Sequence, residues 1–130
     1  MTGTELVFDS SAWVEYFRAS KAGEKVGKLI SAGTYTILTP NIVAAEVVSV
    51  MRRLGYDYEA GIIGIRSLSF PAPEEQGDYI EAGKRHKELK ERHGNISLAD
   101  AIIFVLAEKN SAKIVTKDFH LKSKGAIFLE

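Results

Sequence analysis

Short apolar runs alternate with helical segments along this chain, and that alternation constrains its fold more than any other feature. Residues 6–8, 35–38, 113–116 and 126–129 are strand-length and mostly apolar. Between them the spacing predicts helices over 12–17, 22–31, 40–54, 57–68, 74–93 and 98–108. The predicted boundaries carry recognisable chemistry. Thr39 reads as an N-cap with Pro40 at the first helical position, Gly55 ends that helix, Gly94-Asn95 ends the long one, and Ser97 caps the next. Residues 69–73 break the pattern and have room for a short edge strand. Buried apolar strands alternating with helices imply one α/β domain over residues 1–130 with a mostly parallel sheet. No repeat or linker interrupts it. Flexibility is expected at residues 20–23, 71–73 and 122–125.

The composition removes several classes of function. Seventeen basic and 17 acidic side chains leave a formal net charge of zero, so binding nucleic acid through bulk charge is not indicated. Cysteine is absent, which excludes disulfides, zinc–thiolate sites and thiol catalysis. The amino terminus lacks the pattern of a signal peptide, and no apolar run is long enough to span a membrane. A cytoplasmic protein is expected.

Glu46 is the anomaly. It lies inside Pro-Asn-Ile-Val-Ala-Ala-Glu-Val-Val-Ser-Val-Met, a helical stretch apolar on nearly every side and therefore expected to be buried. Its position mid-helix excludes a capping role, and no basic residue stands at i±3 or i±4. A salt bridge to a distant Arg or Lys, or a rim position on an incompletely buried helix, remains open.

Three further acids lie at apolar segments. Asp9 follows the first strand, where it can cap a helix or face the crevice in which open parallel sheets bind ligands. Asp118 repeats that placement beyond the strand 113–116, with a turn role as its ordinary explanation. Asp100 completes a Ser97-Leu98-Ala99-Asp100 capping box at the start of an apolar helix. Carboxylates with no thiol and only three histidines suit a hard cation such as Mg²⁺ or Mn²⁺ better than Zn²⁺. Such sites mostly act on phosphate esters.

With these residues placed, the chain resembles the PIN-domain ribonuclease family, especially VapC-type toxins of toxin–antitoxin pairs. The matching pieces are Leu6-Val7-Phe8-Asp9-Ser10-Ser11, Ala45-Glu46-Val47 after Pro40, Leu98-Ala99-Asp100-Ala101-Ile102-Ile103 and Ile114-Val115-Thr116-Lys117-Asp118. The resemblance covers nearly the whole chain. It implies a three-layer α/β/α sandwich, Mg²⁺- or Mn²⁺-dependent cleavage of RNA, a homodimer, and an antitoxin that blocks the site. It assigns Asp9, Glu46, Asp100 and Asp118 to a catalytic, metal-binding acidic cluster, with Ser10 and Thr116 supporting it. Lys117 departs from the small or uncharged residue usual there. It is a possible RNA contact, or a partner for an acid that weakens metal binding. His120 falls in the family's variable segment and receives no catalytic role.

The leading expectation is thus a metal-dependent endoribonuclease in which Glu46 is a ligand or orients the attacking water. The alternative is a catalytically inactive PIN-like module that binds RNA or protein. An aspartyl phosphatase is disfavoured, because Ser11 occupies the place of its second acid. The basic run from Lys84 to His93 reads first as a solvated helix face and second as an RNA contact. Trp13, Tyr16, Phe17, Tyr56 and Tyr58 read mainly as core, with a share of them available to line a groove for an antitoxin helix or a dimer contact.

Overall fold

The sheet forms where the apolar runs fall. The computed structural model describes residues 4–122 and 125–130. Its strands are β1 (Glu5–Phe8), β2 (Thr36–Thr39), β3 (Phe70–Pro71), β4 (Lys113–Thr116) and β5 (Ile127–Phe128), in the order β3-β2-β1-β4-β5. Every neighbouring pair is parallel, with Val7 opposite Leu38 and Phe8 opposite Val115. The helices are α1 (Ser10–Arg18), α2 (Lys21–Ser31), α3 (Asn41–Leu54), α4 (Tyr58–Leu68), α5 (Gln76–His93) and α6 (Leu98–Lys109). They cover both faces as a three-layer α/β/α sandwich. On one side α1 packs on the sheet and carries α2 and α3; α6 packs against β1 and β4 and carries α5. Leu6, Val7 and Phe8 are wholly buried, as a central strand covered on both faces requires.

Around Trp13 the core is aromatic. Its ring centroid lies 5.0 Å from Phe8, 6.1 Å from Tyr16 and, stacked, 5.6 Å from Phe17. Trp13 is therefore core rather than groove lining, and Tyr16 and Phe17 pack against the same cluster. Tyr56 is the exposed aromatic of the group, and Tyr58 lies under the Arg52 guanidinium, 5.5 Å from its ring centroid.

The start of α3 differs from the sequence expectation. Pro40 is the N-cap and Asn41 the first helical residue, while Thr39 ends β2. The Thr39 hydroxyl is occupied elsewhere: it accepts from Trp13 Nε1 at 3.1 Å and pairs with Ser69 Oγ at 2.8 Å. Glu74 takes over at the helix start, its Oε2 accepting from Asn41 N at 3.3 Å and its Oε1 from Asn41 Nδ2 at 2.9 Å. The Ser20–Gly23 stretch is also no flexible link. Ser20 caps α2, with Gly23 N donating to its Oγ at 3.0 Å. At the 71–73 break Pro71 belongs to β3 and Ala72 N donates to Thr39 O at 3.0 Å. Of the third stretch, Ser123 and Lys124 lie outside the described residues.

Helix α3 is not buried all round. Val43, Val47 and Met51 face the core, whereas Ala45 and Ser49 are exposed. The outward apolar side forms a groove with α4, lined by Ala44, Ala45, Val48, Ile62, Ile65 and Arg66. Ile63 is 68% exposed on α4, and Ile62 is half-buried. The apolar periodicity of this helix pair therefore reports an open surface as well as a core.

Candidate functional site

Strand order reverses between β1 and β4, and the crevice beyond the carboxyl ends of such strands is the natural ligand position of an open α/β sheet. Asp9 and Asp118 stand there. Asp9 is 3% exposed and extended at φ −84°, ψ 178°, so it ends the strand and caps α1 at once. Its Oδ1 accepts from Ala12 N at 2.9 Å and Ser11 Oγ at 2.7 Å, while Oδ2 accepts from Thr116 Oγ1. The Thr116 hydroxyl in turn accepts from Asp118 N at 2.8 Å. One buried hydroxyl thereby couples the ends of β1 and β4, holding the Asp9 carboxylate and the backbone of Asp118. Asp118 Oδ1 accepts from His120 N at 2.9 Å, which turns the chain after β4.

Asp100 reaches the same crevice from α6. The capping box is formed: Asp100 N donates to Ser97 Oγ and Ser97 N to Asp100 Oδ2, each at 3.1 Å. Glu46 comes from α3 and is half-buried. Ser10, at the first turn of α1, directs its hydroxyl to Glu46. Ser10 and Glu46 share a cleft with Ala45, Ser49, Val50 and Arg53.

Electrostatics tie these acids into a ring. Burial pushes the Asp9 carboxyl up to about 6 against three opposing hydrogen bonds, and Asp118 adds to the rise. Burial raises Asp100, with Asp118 contributing and His120 opposing. Burial also raises Glu46, followed by the charges of Asp100 and Asp9, with Ser10 opposing. Among the described residues no Lys or Arg forms an ion pair with any of the four. A salt bridge therefore does not account for Glu46; it stands at the rim of α3, facing other carboxylates.

Lys117 turns away from the ring. Its Nζ lies 3.5 Å from Glu15 Oε1, and Glu15 is itself buried. Burial alone raises that carboxyl, but the Ser20 hydroxyl, Lys117 and Arg18 more than offset it and hold it below the usual carboxylate range. The Lys117 backbone is fixed too, its N donating to Ser11 Oγ at 2.9 Å. Ser11 thus joins α1 to the end of β4 while bonding Asp9. Sequence reasoning gave it no such part, although a second serine within reach of a capping Asp was the available signal.

The donor set suits a hard divalent cation: oxygen ligands only, no thiol, and, among the described residues, no Lys or Arg ion-paired to the acids. Among the described residues no three acids or histidines are close enough to enclose an ion by themselves. A cation in this crevice would therefore keep part of its water shell, which is usual for Mg²⁺.

With this geometry in place, the sequence was compared with known families. It matches the PIN domain over residues 6–126, a span that contains all four acids. The chain belongs to the PIN domain family. Among solved structures this PIN domain is similar to Mycobacterium tuberculosis VapC20, a sarcin–ricin loop cleaving toxin. The TM-score is 0.67 at 18% identity, over 88% of this chain and 92% of that one. It is also similar to PAE2754 from Pyrobaculum aerophilum, with a TM-score of 0.65 at 22% identity, over 97% of this chain and 90% of that one. At these identities the likeness is one of fold. No curated protein is significantly similar to it in sequence.

Proposed function

We propose that this PIN domain is a metal-dependent endoribonuclease and the toxin of a toxin–antitoxin pair. The observation that carries the reading is the ring of Asp9, Glu46, Asp100 and Asp118 at the switch point, whose charges act on one another while, among the described residues, no Lys or Arg forms an ion pair with any of them. Membership of the PIN family and the fold shared with a toxin that cleaves the sarcin–ricin loop support it.

Asp9, Asp100 and Asp118 would hold Mg²⁺ or Mn²⁺, with Glu46 as a further ligand or as the group orienting the attacking water. The bound cation supplies charge neutralisation at the phosphate and a more acidic water. The chain's own residues set the geometry. Thr116 and Ser11 fix the Asp9 carboxylate, Ser97 fixes Asp100, and Ser10 steadies Glu46. In-line attack by water on phosphorus breaks the P–O3′ bond, leaving a 5′-phosphate and a 3′-hydroxyl.

The substitution Glu46→Gln keeps the shape and removes the charge. It is expected to slow cleavage of single-stranded RNA by roughly 10²-fold at saturating Mg²⁺. A wild-type rate would refute the assignment.

The open spacing of the acids favours one competing reading, a PIN module that binds without cutting. Melting temperature against Mn²⁺ separates the two, since only a metal site predicts a concentration-dependent rise. Lys117→Ala should leave that rise unchanged, because the ammonium is engaged by Glu15. A larger rise in the variant would mean that Lys117 competes with the cation.

The groove between α3 and α4 supports the partner assignments. Its apolar lining and the exposed Ile63 suit an amphipathic antitoxin helix or the contact of a homodimer. No helix among the described residues is long and apolar enough to cross a membrane, and a cytoplasmic site of action fits an RNA substrate.

A further inference from the structure

Basic side chains also gather beside the acids. Arg92, His93, Gly94, His120 and Lys122 line one pocket, and no acid contributes to its wall. The chain as a whole carries no net charge, so this cluster is local and not a sample of a generally basic surface. On α5 and α6, Arg85 pairs with Glu108 at 2.9 Å, and Lys109 with Asp78 at 2.7 Å. Arg92 enters no ion pair among the described residues.

The pocket is built into the fold. His120 Nδ1 lies 3.1 Å from His93 O, closing the carboxyl end of α5 onto the loop that follows Asp118. Gly94, at φ +84°, permits this approach. A Cβ there would lie 3.2 Å from His120 Nδ1, in a backbone conformation that side-chain-bearing residues rarely adopt. The His93 ring packs on Phe104 with centroids 4.9 Å apart, and Lys122 Nζ lies 4.8 Å from the Phe128 ring centroid. His120 is also the link to the acidic ring. Its N–H donates to Asp118 Oδ1, and its charge acts on Asp100.

We infer that this pocket is a phosphate subsite, which holds an internal phosphodiester of the RNA strand beside the one lying over Asp9, Glu46, Asp100 and Asp118. The inference rests on the ribonuclease reading for its ligand. A cluster of acids repels a polyanion, and a cation offsets that only locally. A neighbouring site with guanidinium, ammonium and imidazole donors supplies the attraction that holds the strand in register.

The test is fluorescence anisotropy with a labelled single-stranded RNA in the slow-cutting Glu46→Gln background, across a salt series. Arg92→Glu with Lys122→Glu is expected to weaken binding about tenfold or more and to flatten the salt slope by roughly 0.7 per lost contact. Arg92→Lys should retain most of the affinity, which guards against loss through misfolding. Lys84→Glu with Lys87→Glu, about two turns back along α5, should have little effect.

Unchanged affinity in the Arg92/Lys122 variant, or an equal loss in the Lys84/Lys87 variant, overturns the subsite. Equal losses for 5′-hydroxyl and 5′-phosphorylated oligonucleotides assign an internal phosphodiester; a loss confined to the phosphorylated strand overturns that assignment. If wild type cuts RNA while the Arg92/Lys122 variant binds normally, the subsite alone fails. If wild type binds through Arg92 but never cuts, the nuclease reading alone fails.

Discussion

Asp9→Asn is expected to eliminate RNA cleavage and, in metal-stripped protein at pH 8, to raise the melting temperature. The activity loss should be on the order of 10³-fold, since the variant removes the most buried charge of the site. The gain in stability follows from linkage. Asp9 titrates near 3.8 when exposed and near 6 in the fold, so between these values the folded state holds its proton longer. Stability present below pH 4 is lost as pH rises through 6, by about 3 kcal/mol at most. Asparagine has no such step. Melting curves at pH 4 and pH 8 measure it: the advantage of Asp9→Asn should be present at pH 8 and absent at pH 4. A variant destabilised equally at both values would show that burial does not strain this carboxylate. Saturating Mn²⁺ should reverse the ranking at pH 8, because only wild type gains binding energy from the cation.

Gly23→Ala is expected to cost about 3 kcal/mol, and to lower the melting temperature by on the order of 10 °C. A Cβ at this position would lie 2.0 Å from Glu15 O, 2.6 Å from Glu15 C and 3.0 Å from Tyr16 Cα. These are backbone atoms, so no side-chain rotation relieves the contact, and α2 must move off α1. Gly27→Ala, one turn later on α2, is the control. Its Cβ would meet the Tyr16 ring at 3.7 Å, an ordinary contact, and the helix should gain roughly 0.5–1 kcal/mol from lost backbone freedom. The same substitution on one helix is thus expected to have opposite signs. Thermal denaturation decides it, and a loss at Gly27 equal to that at Gly23 would point to a general cost of alanine in α2.

Much of the fold was legible because its strands are central and parallel. Leu6-Val7-Phe8 is buried on both faces, so it reads as an unbroken apolar run, and the caps at Asp9 and Ser97 are local signals. Illegible features depended on distant partners. Thr39 has the composition of a cap, but the Trp13 indole, 26 residues away, takes its hydroxyl. The pairing of Lys117 with Glu15 leaves no periodic trace. The helix α3 is apolar on both sides for two different reasons, core on one and groove on the other, which a hydrophobicity pattern cannot separate.

The acids were visible individually, and their ordinary roles proved compatible with convergence. Asp9 does cap α1 and Asp100 does complete a capping box. Capping fixes the direction of each carboxylate, so the local motif and the shared crevice are one arrangement. What no local pattern contained was the reach of the Ser11 hydroxyl from Asp9 to the backbone of Lys117 across the β1–β4 junction.

The Thr116–Asp9 hydrogen bond spans 107 positions in sequence. Asp100, Asp118 and the Thr116 hydroxyl that aims Asp9 all come later in the chain than Asp9 and Glu46. A chain cut between Glu46 and Asp100 therefore carries Asp9 without the Thr116 hydroxyl that holds it and without two of the four acids. For a protein whose proposed activity destroys RNA, this ordering is a safeguard: the proposed centre cannot assemble until the chain through Asp118 has been made and folded.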